Sequence, residues 1–244
     1  MKTILLKFSG PMQSWGTSSH FETRNTDYYP SKSAVIGVIA ASFGYRRDED
    51  EKIEKLNELD FAVRVDQIGN LKKDFHIAAK RKDSGEIDKN YVTYRYYLED
   101  SVFVVAISSK DDKWIEEICA ALKNPYFQPF MGRRSCPVQP DFVINVVEMG
   151  AIEALQNLEW QASDWYKKRN EKFIAYIYAD SALLDNEKYI LRNDRVVSFS
   201  QKERKYGPRF ESKTSIKFEF KQDLKEKYEN NLKGNIDYFD SLLE

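Results

Sequence analysis

Arg133 and Arg134 follow Gly132 inside FQPFMGRRSCPVQP, residues 127–140, a stretch holding three of the chain's seven prolines. Prolines stiffen such a loop, and a glycine lets backbone approach another molecule closely. Paired guanidiniums offer planar forks of donors suited to phosphates and base edges. Gly132, Arg133, Arg134 and Ser135 are therefore a candidate anion-reading set. Residues 12–33, MQSWGTSSHFETRNTDYYPSKS, are a second candidate. Trp15 and Tyr28 can stack or wedge bases, and Arg24 and Lys32 can meet phosphates. Gln13 and Ser33 can hydrogen-bond bases or a ribose 2′-hydroxyl. The segment ends where a helix begins, so free amides, the helix dipole and the Ser31 and Ser33 hydroxyls favour a phosphate there. Arg46 and Arg47 follow that helix. The third candidate is residues 69–100, basic at one end (His76, Lys80, Arg81) and aromatic at the other (Tyr91, Tyr94, Arg95, Tyr96, Tyr97). Each segment also reads as something plainer: a core-edge loop, a proline-braced surface loop, or a hairpin whose tyrosines face a partner protein.

Catalytic chemistry has less to stand on. His20 and His76 are the only histidines, and Cys119 and Cys136 the only cysteines. No phosphate-cradling, dinucleotide-binding or zinc-protease motif occurs. Two cysteines make neither a disulfide framework nor a zinc site, and Cys136 reads as a small buried side chain. A metal-free ribonuclease built from His, Lys and Tyr stays open, because composition permits it and no spacing specifies it. No cofactor is expected.

Net charge is −1, which excludes a uniformly basic nucleic-acid binder but not a segregated one. Residues 1–47 carry six Lys/Arg against two acids, residues 72–82 five against one, residues 123–140 three against none, and residues 191–218 eight against three. Residues 48–60 hold seven acids against two lysines. Four separate basic segments, three of them carrying aromatics, fit a basic groove. No apolar run approaches the roughly 20 residues of a bilayer span. The start MKTILLKFSG lacks the apolar core of a signal peptide, so a soluble, cytoplasmic protein is expected.

Apolar patterning supplies the frame for these candidates. Residues 2–8, 61–68, 101–109 and 142–147 read as strands. Helices are expected from Ser31 or Ser33 to about Phe43, over residues 48–59, and over residues 112–123. The major elements run β, α, β, β, α, β, so the predicted class is α+β with a ferredoxin-like domain over residues 1–148. A plain hairpin needs 2–5 residues between its second and third strands, so residues 69–100 read as an extended hairpin thumb. A smaller, mostly β region is expected over residues 149–220, with strands near 173–178, 189–191, 196–200 and 212–220. Residues 221–244 read as a charged helical tail. The ferredoxin-like sheet often carries single-stranded RNA, as in the RRM, but the RNP motif is absent, so loops and arm would have to hold it.

GPMQSWG (10–16), YPSKSAVIGVIAASFGYRRDED (29–50), YLEDSVFVVAI (97–107) and NPYFQPFMGRRSCPV (124–138) resemble the CasD family, the type I-E form of the fifth CRISPR-associated protein family. The likeness runs from Met1 to about residue 215. It implies a RAMP-type ferredoxin-like fold and a non-catalytic Cascade subunit that holds the 5′ handle of CRISPR RNA in antiviral defence. Partners so implied are a CasC-type backbone subunit, a CasA-type large subunit and, through the complex, target DNA. Relatives of the I-C subtype cut precursor RNA themselves, so a metal-independent endoribonuclease is the alternative.

Overall fold

The computed structural model describes residues 1–17, 22–185 and 187–220. His20 and the expected tail, 221–244, lie outside the described residues.

Strand β1 (Lys2–Ser9) buries Ile4, Leu5, Leu6 and Phe8 in succession. A strand apolar on both faces belongs in the middle of a sheet covered on both sides. Short strands β2 (Met12–Gln13) and β3 (Thr23–Arg24) precede helix α1 (Lys32–Phe43). Ser31 caps α1 by accepting from the Ala34 amide. The acidic helix expected over 48–59 is shorter: α2 (Asp50–Lys55) tightens into a 3₁₀ turn, Leu56–Glu58. There the Leu59 amide bonds Leu56 three residues back, and Ile53, Leu56 and Leu59 all reach the core. Strand β4 (Asp60–Gln67), the arm strands β5 (Asn70–Arg81) and β6 (Ile87–Glu99), strand β7 (Val102–Ser109), helix α3 (Asp112–Lys123) and strand β8 (Val143–Val147) complete the first half.

Strands β4, β7, β1 and β8 lie side by side in that order, each neighbouring pair antiparallel. This is the predicted ferredoxin-like sheet. Ile36 and Ile39 of α1 and Ile115 and Ile118 of α3 share one core with Ile4, Leu6, Phe61 and Phe103 on one face of the sheet. Helix α4 (Ala151–Asn157) covers the other face; its Ala151 and Ala154 pack with Leu5, Ala62 and Val104.

After helix α5 (Asp164–Arg169), strands β9 (Lys172–Asp180), β10 (Ile190–Ser198) and β11 (Lys205–Glu219) extend the same sheet beyond β4, in the order β10-β11-β9-β4. The sequence pattern splits β10 into two fragments and starts β11 late, because Arg192, Asp194, Arg209 and Glu211 read as interruptions. In the fold these charges are largely buried and paired with one another.

The arm is an antiparallel ladder from Asn70 opposite Glu99 to Arg81 opposite Ile87. At its root Gly69 passes so close to the chain that a Cβ would lie 2.0 Å from the Glu99 carbonyl oxygen, which only glycine avoids. Strand β2 pairs antiparallel with β6 at Glu99 and Leu98, and β3 pairs parallel with it at Tyr94 and Arg95. The first candidate loop and the arm, separate in the sequence, form one sheet.

Candidate nucleic-acid interface

The Gly-Arg-Arg loop is fastened at several points. Phe130 and Pro137 form a bridge, and the Met131 amide bonds the Cys136 carbonyl. Gly132 has φ +79°, and a Cβ on it would fall 1.6 Å from the Ser14 carbonyl oxygen. The Met131 carbonyl accepts from the Ser14 amide. Glycine therefore lets this loop lie flat on the β2 segment, and the next two residues are aimed from there. The Arg133 guanidinium lies 4.2 Å over the Tyr97 ring and donates through Nη2 to the Arg24 carbonyl at 3.0 Å. Arg133 Nη1 and Arg95 Nε are buried donors with no acceptor among the described residues. Buried donors are normally satisfied, so these two mark where an acceptor from another molecule, or water, belongs. Arg134 is exposed. Burial pushes the Cys136 thiol up, which suits an inert side chain.

These residues border a cleft of about 1340 Å³. Gly37, Val38, Ala40 and Ala41 of α1 line it, and the small residues leave it room. Arg24, Arg95, Phe127, Phe130, Arg133 and Arg134 line it from the arm root and the proline-rich loop. Tyr45, Arg46 and Arg47 line it beyond the end of α1, Phe199, Lys202 and Arg204 from the β10–β11 connection, and Tyr206 from the start of β11. Among the described residues the cleft is thus lined by six arginines from the first 134 residues and two cations from the C-terminal half, against one acid, Asp48. Burial raises the Tyr206 phenol above its ordinary value, opposed by the Arg204 and Arg47 guanidiniums beside it. A surface that gathers cations of like charge around aromatic rings is suited to a single-stranded polyanion: guanidiniums for phosphates, rings for bases.

Of the residues singled out from sequence, Arg24, Ser31, Ser33, Arg46, Arg47, Arg95, Gly132, Arg133 and Arg134 line this cleft, and Trp15 borders it as a buried side chain. Ser31 and Ser33 do so as buried residues whose hydroxyls lie 3.2 Å apart. Three residues require correction. Trp15 is 1% exposed; its ring packs edge-on against Phe8, and its indole N–H donates to Gln13 Oε1, so it is core rather than a stacking surface. Gln13 is fully buried and spends its amide on the Phe8 and Ser101 carbonyls. Lys32 is buried, its ammonium bonded to Asp180 at 2.9 Å and to the Asn57 carbonyl at 3.0 Å. The phosphate site expected at the start of α1 is likewise taken: the Lys32 amide donates to Asp194 Oδ2 at 3.0 Å. Asp194 also receives Nε and Nη2 of Arg209, which reaches Asp180 and Glu211 as well. Burial alone would raise Asp194, but hydrogen bonds and charge from Arg209 hold it below its ordinary value.

The arm residues divide by the pleat. Arg95 lines the cleft; Tyr94 and Tyr96 belong to the opposite face, where Lys73 lies 3.9 Å over the Tyr94 ring. On that face Phe75 opposes Tyr94 and Ile77 opposes Val92; Phe75, Ile77 and Val92 are exposed. His76, Lys80 and Arg81 stand on the exposed arm outside the cleft, His76 3.6 Å from Asp74 and Lys80 3.2 Å from Asp88. Ser135 and Tyr28 are exposed but do not line the cleft. Lys202, Arg204, Tyr45, Phe127, Phe199 and Tyr206 are the site members that sequence reasoning missed. The basic excess over residues 191–218 was the one signal pointing to the first two.

A family model described as CRISPR-associated protein (Cas_Cas5) matches residues 3–211. The chain is 31% identical over 183 residues to the CRISPR system Cascade subunit CasD of Escherichia coli (strain K12), spanning 68% of this chain and 81% of that protein. A chain of a solved CRISPR RNA-guided surveillance complex superposes with a TM-score of 0.73 at 29% identity, covering 89% of this chain and 91% of that one. A crystal structure of a Cas protein gives a TM-score of 0.63 at 30% identity, covering 88% and 94%.

Proposed function

The chain belongs to the CRISPR-associated Cas5 family, and from that membership we propose that it is a Cascade-type subunit that holds the 5′ handle of CRISPR RNA without cutting it. The observation that carries this reading is the cleft at the arm root, whose lining among the described residues holds eight Arg and Lys side chains and, besides the buried Trp15, five aromatic rings against one carboxylate, Asp48. Arg133 Nη1 and Arg95 Nε, lacking acceptors among the described residues, are the proposed phosphate contacts, with Arg24, Arg46, Arg47 and Arg134 neutralising further phosphates. Tyr45, Phe127 and Tyr206 stack bases. The arm crosses the RNA at the handle–spacer junction with its Arg95 face. Its exposed apolar face, with Phe75, Ile77 and Val92, meets a CasC-type backbone subunit. A CasA-type subunit joins the assembly, which meets target DNA and acts in cytoplasmic antiviral defence.

Retention rather than cleavage is favoured by the side chains at hand. Among the described residues the cleft is lined by no histidine, and its Tyr206 phenol is shifted away from service as a base at neutral pH. The test incubates purified protein with repeat RNA, with and without Mg²⁺. RNA bound and intact is the expected result. Site-specific cleavage lost on His20→Ala or His76→Ala would establish the endoribonuclease instead.

A further inference from the structure

The connection between β10 and β11 supplies a wall of the cleft through Phe199, Lys202 and Arg204, joined by Tyr206 at the start of β11. It rests on α1, where a Cβ on Gly37 would meet the Phe199 ring at 3.7 Å. Lys202 and Arg204 have no ion-pair partner among the described residues, and Arg204 and Arg47 crowd the same phenol. Cations left unpaired on a cleft wall repel one another until a polyanion enters.

The strands behind this connection are fixed by buried charge. Asp194 of β10 holds Arg209 of β11 through two hydrogen bonds, of 2.7 and 3.0 Å. The same carboxylate takes the Lys32 amide at the first turn of α1. One side chain thus ties the hairpin's two strands to the helix that lines the cleft. We propose that the β10–β11 hairpin is a clamp on the RNA backbone, with Lys202 and Arg204 as phosphate contacts and Asp194 as the positioning residue that sets the hairpin against α1. This deepens the RNA-holding reading above and rests on it.

The test measures binding of the full chain to single-stranded repeat RNA over a series of salt concentrations, with thermal melting alongside. Removing one phosphate-neutralising cation should lower the slope of log K against log salt by about 0.7. Lys202→Ala with Arg204→Ala should therefore lower it by about 1.4 at an unchanged melting temperature. Asp194→Asn should lower both, and the triple variant should lose no more slope than Asp194→Asn alone, because a displaced clamp has nothing further to lose. A merely structural Asp194 would lower the melting temperature and leave the slope of the folded protein intact, refuting the positioning role. If Asp194→Asn does not fold, Asp194→Glu takes its place, since it keeps the charge and displaces the carboxylate by one methylene from the Lys32 amide and Arg209; an unchanged slope in that folded variant would then refute the positioning role. An unchanged slope for the Lys202 and Arg204 variant, with Arg133→Ala/Arg134→Ala lowering it, would refute the clamp and leave RNA holding intact. Unchanged slopes for both pairs would overturn RNA holding itself.

Discussion

Arg133 and Arg134 are adjacent in sequence, yet they should respond differently to removal. Both line the cleft, but Arg134 is exposed, while Arg133 packs on Tyr97 and holds the Arg24 carbonyl. If all eight cleft cations neutralise phosphates, the slope of log K against log salt is about −5.6, taking roughly 0.7 per cation on a single strand. Raising salt from about 50 to 200 mM would then weaken binding by about 3.4 decades. Arg134→Ala should bring the slope to about −4.9 and do little else. Arg133→Ala should remove a like share of slope, and it should also weaken binding at every salt concentration. Its guanidinium is the bond between the proline-rich loop and β3, so its loss loosens Arg24 and Arg95 together. The assay is fluorescence anisotropy with labelled repeat RNA over a salt series, with circular dichroism to confirm folding. Equal effects of the two single variants, or no change of slope in either, would refute the reasoning from this geometry.

Three further outcomes follow from particular contacts. Gly132→Ala places a methyl group on the Ser14 carbonyl at a positive φ, and it should cost upwards of about 2 kcal/mol, read as a fall of several degrees in melting temperature. Trp15→Ala should cost about 3–5 kcal/mol of stability, as for an aromatic removed from a core, while the fraction that stays folded keeps its salt slope; a variant of full stability that binds RNA poorly would restore Trp15 as a stacking residue. Replacing the arm beyond its root, residues 76–93, with a two-residue turn should leave a folded chain that fails to co-purify with CasC- and CasA-type partners on RNA. Normal assembly would show the arm to be dispensable. The cut stops there because Tyr97 and Leu98 belong to the core.

Much of the frame was legible in the sequence because it rests on apolar periodicity. The runs at 2–8 and 101–109 are buried on both faces, and Asp111 and Ser31 announce the helices they cap. The arm was legible from its length and its tyrosines. What the sequence hid was the direction in which polar and aromatic loop residues point. Trp15, Gln13 and Lys32 have the composition of a binding loop, but β2 folds under the arm root and turns the first two inward, while Asp180 claims the third. The same limit concealed β10 and β11: Arg192, Asp194, Arg209 and Glu211 look like solvent-facing breaks until their partners are known to lie on the facing strand. The cleft wall at residues 199–206 was out of reach because the two halves of the cleft lie far apart in sequence. Only the sheet order, which brings β11 and β10 beyond β9, places residues 199–206 over α1.

The most direct test of the cleft as the RNA site is photo-crosslinking of the full chain to repeat RNA carrying 4-thiouridine, with the modified peptides identified by mass spectrometry. Crosslinks should fall on Tyr45, Phe127, Phe199 and Tyr206, and Arg133→Ala/Arg134→Ala should diminish them all. Crosslinks confined to Phe75, Tyr94 and Tyr96 on the other face of the arm, with none in the cleft, would contradict it.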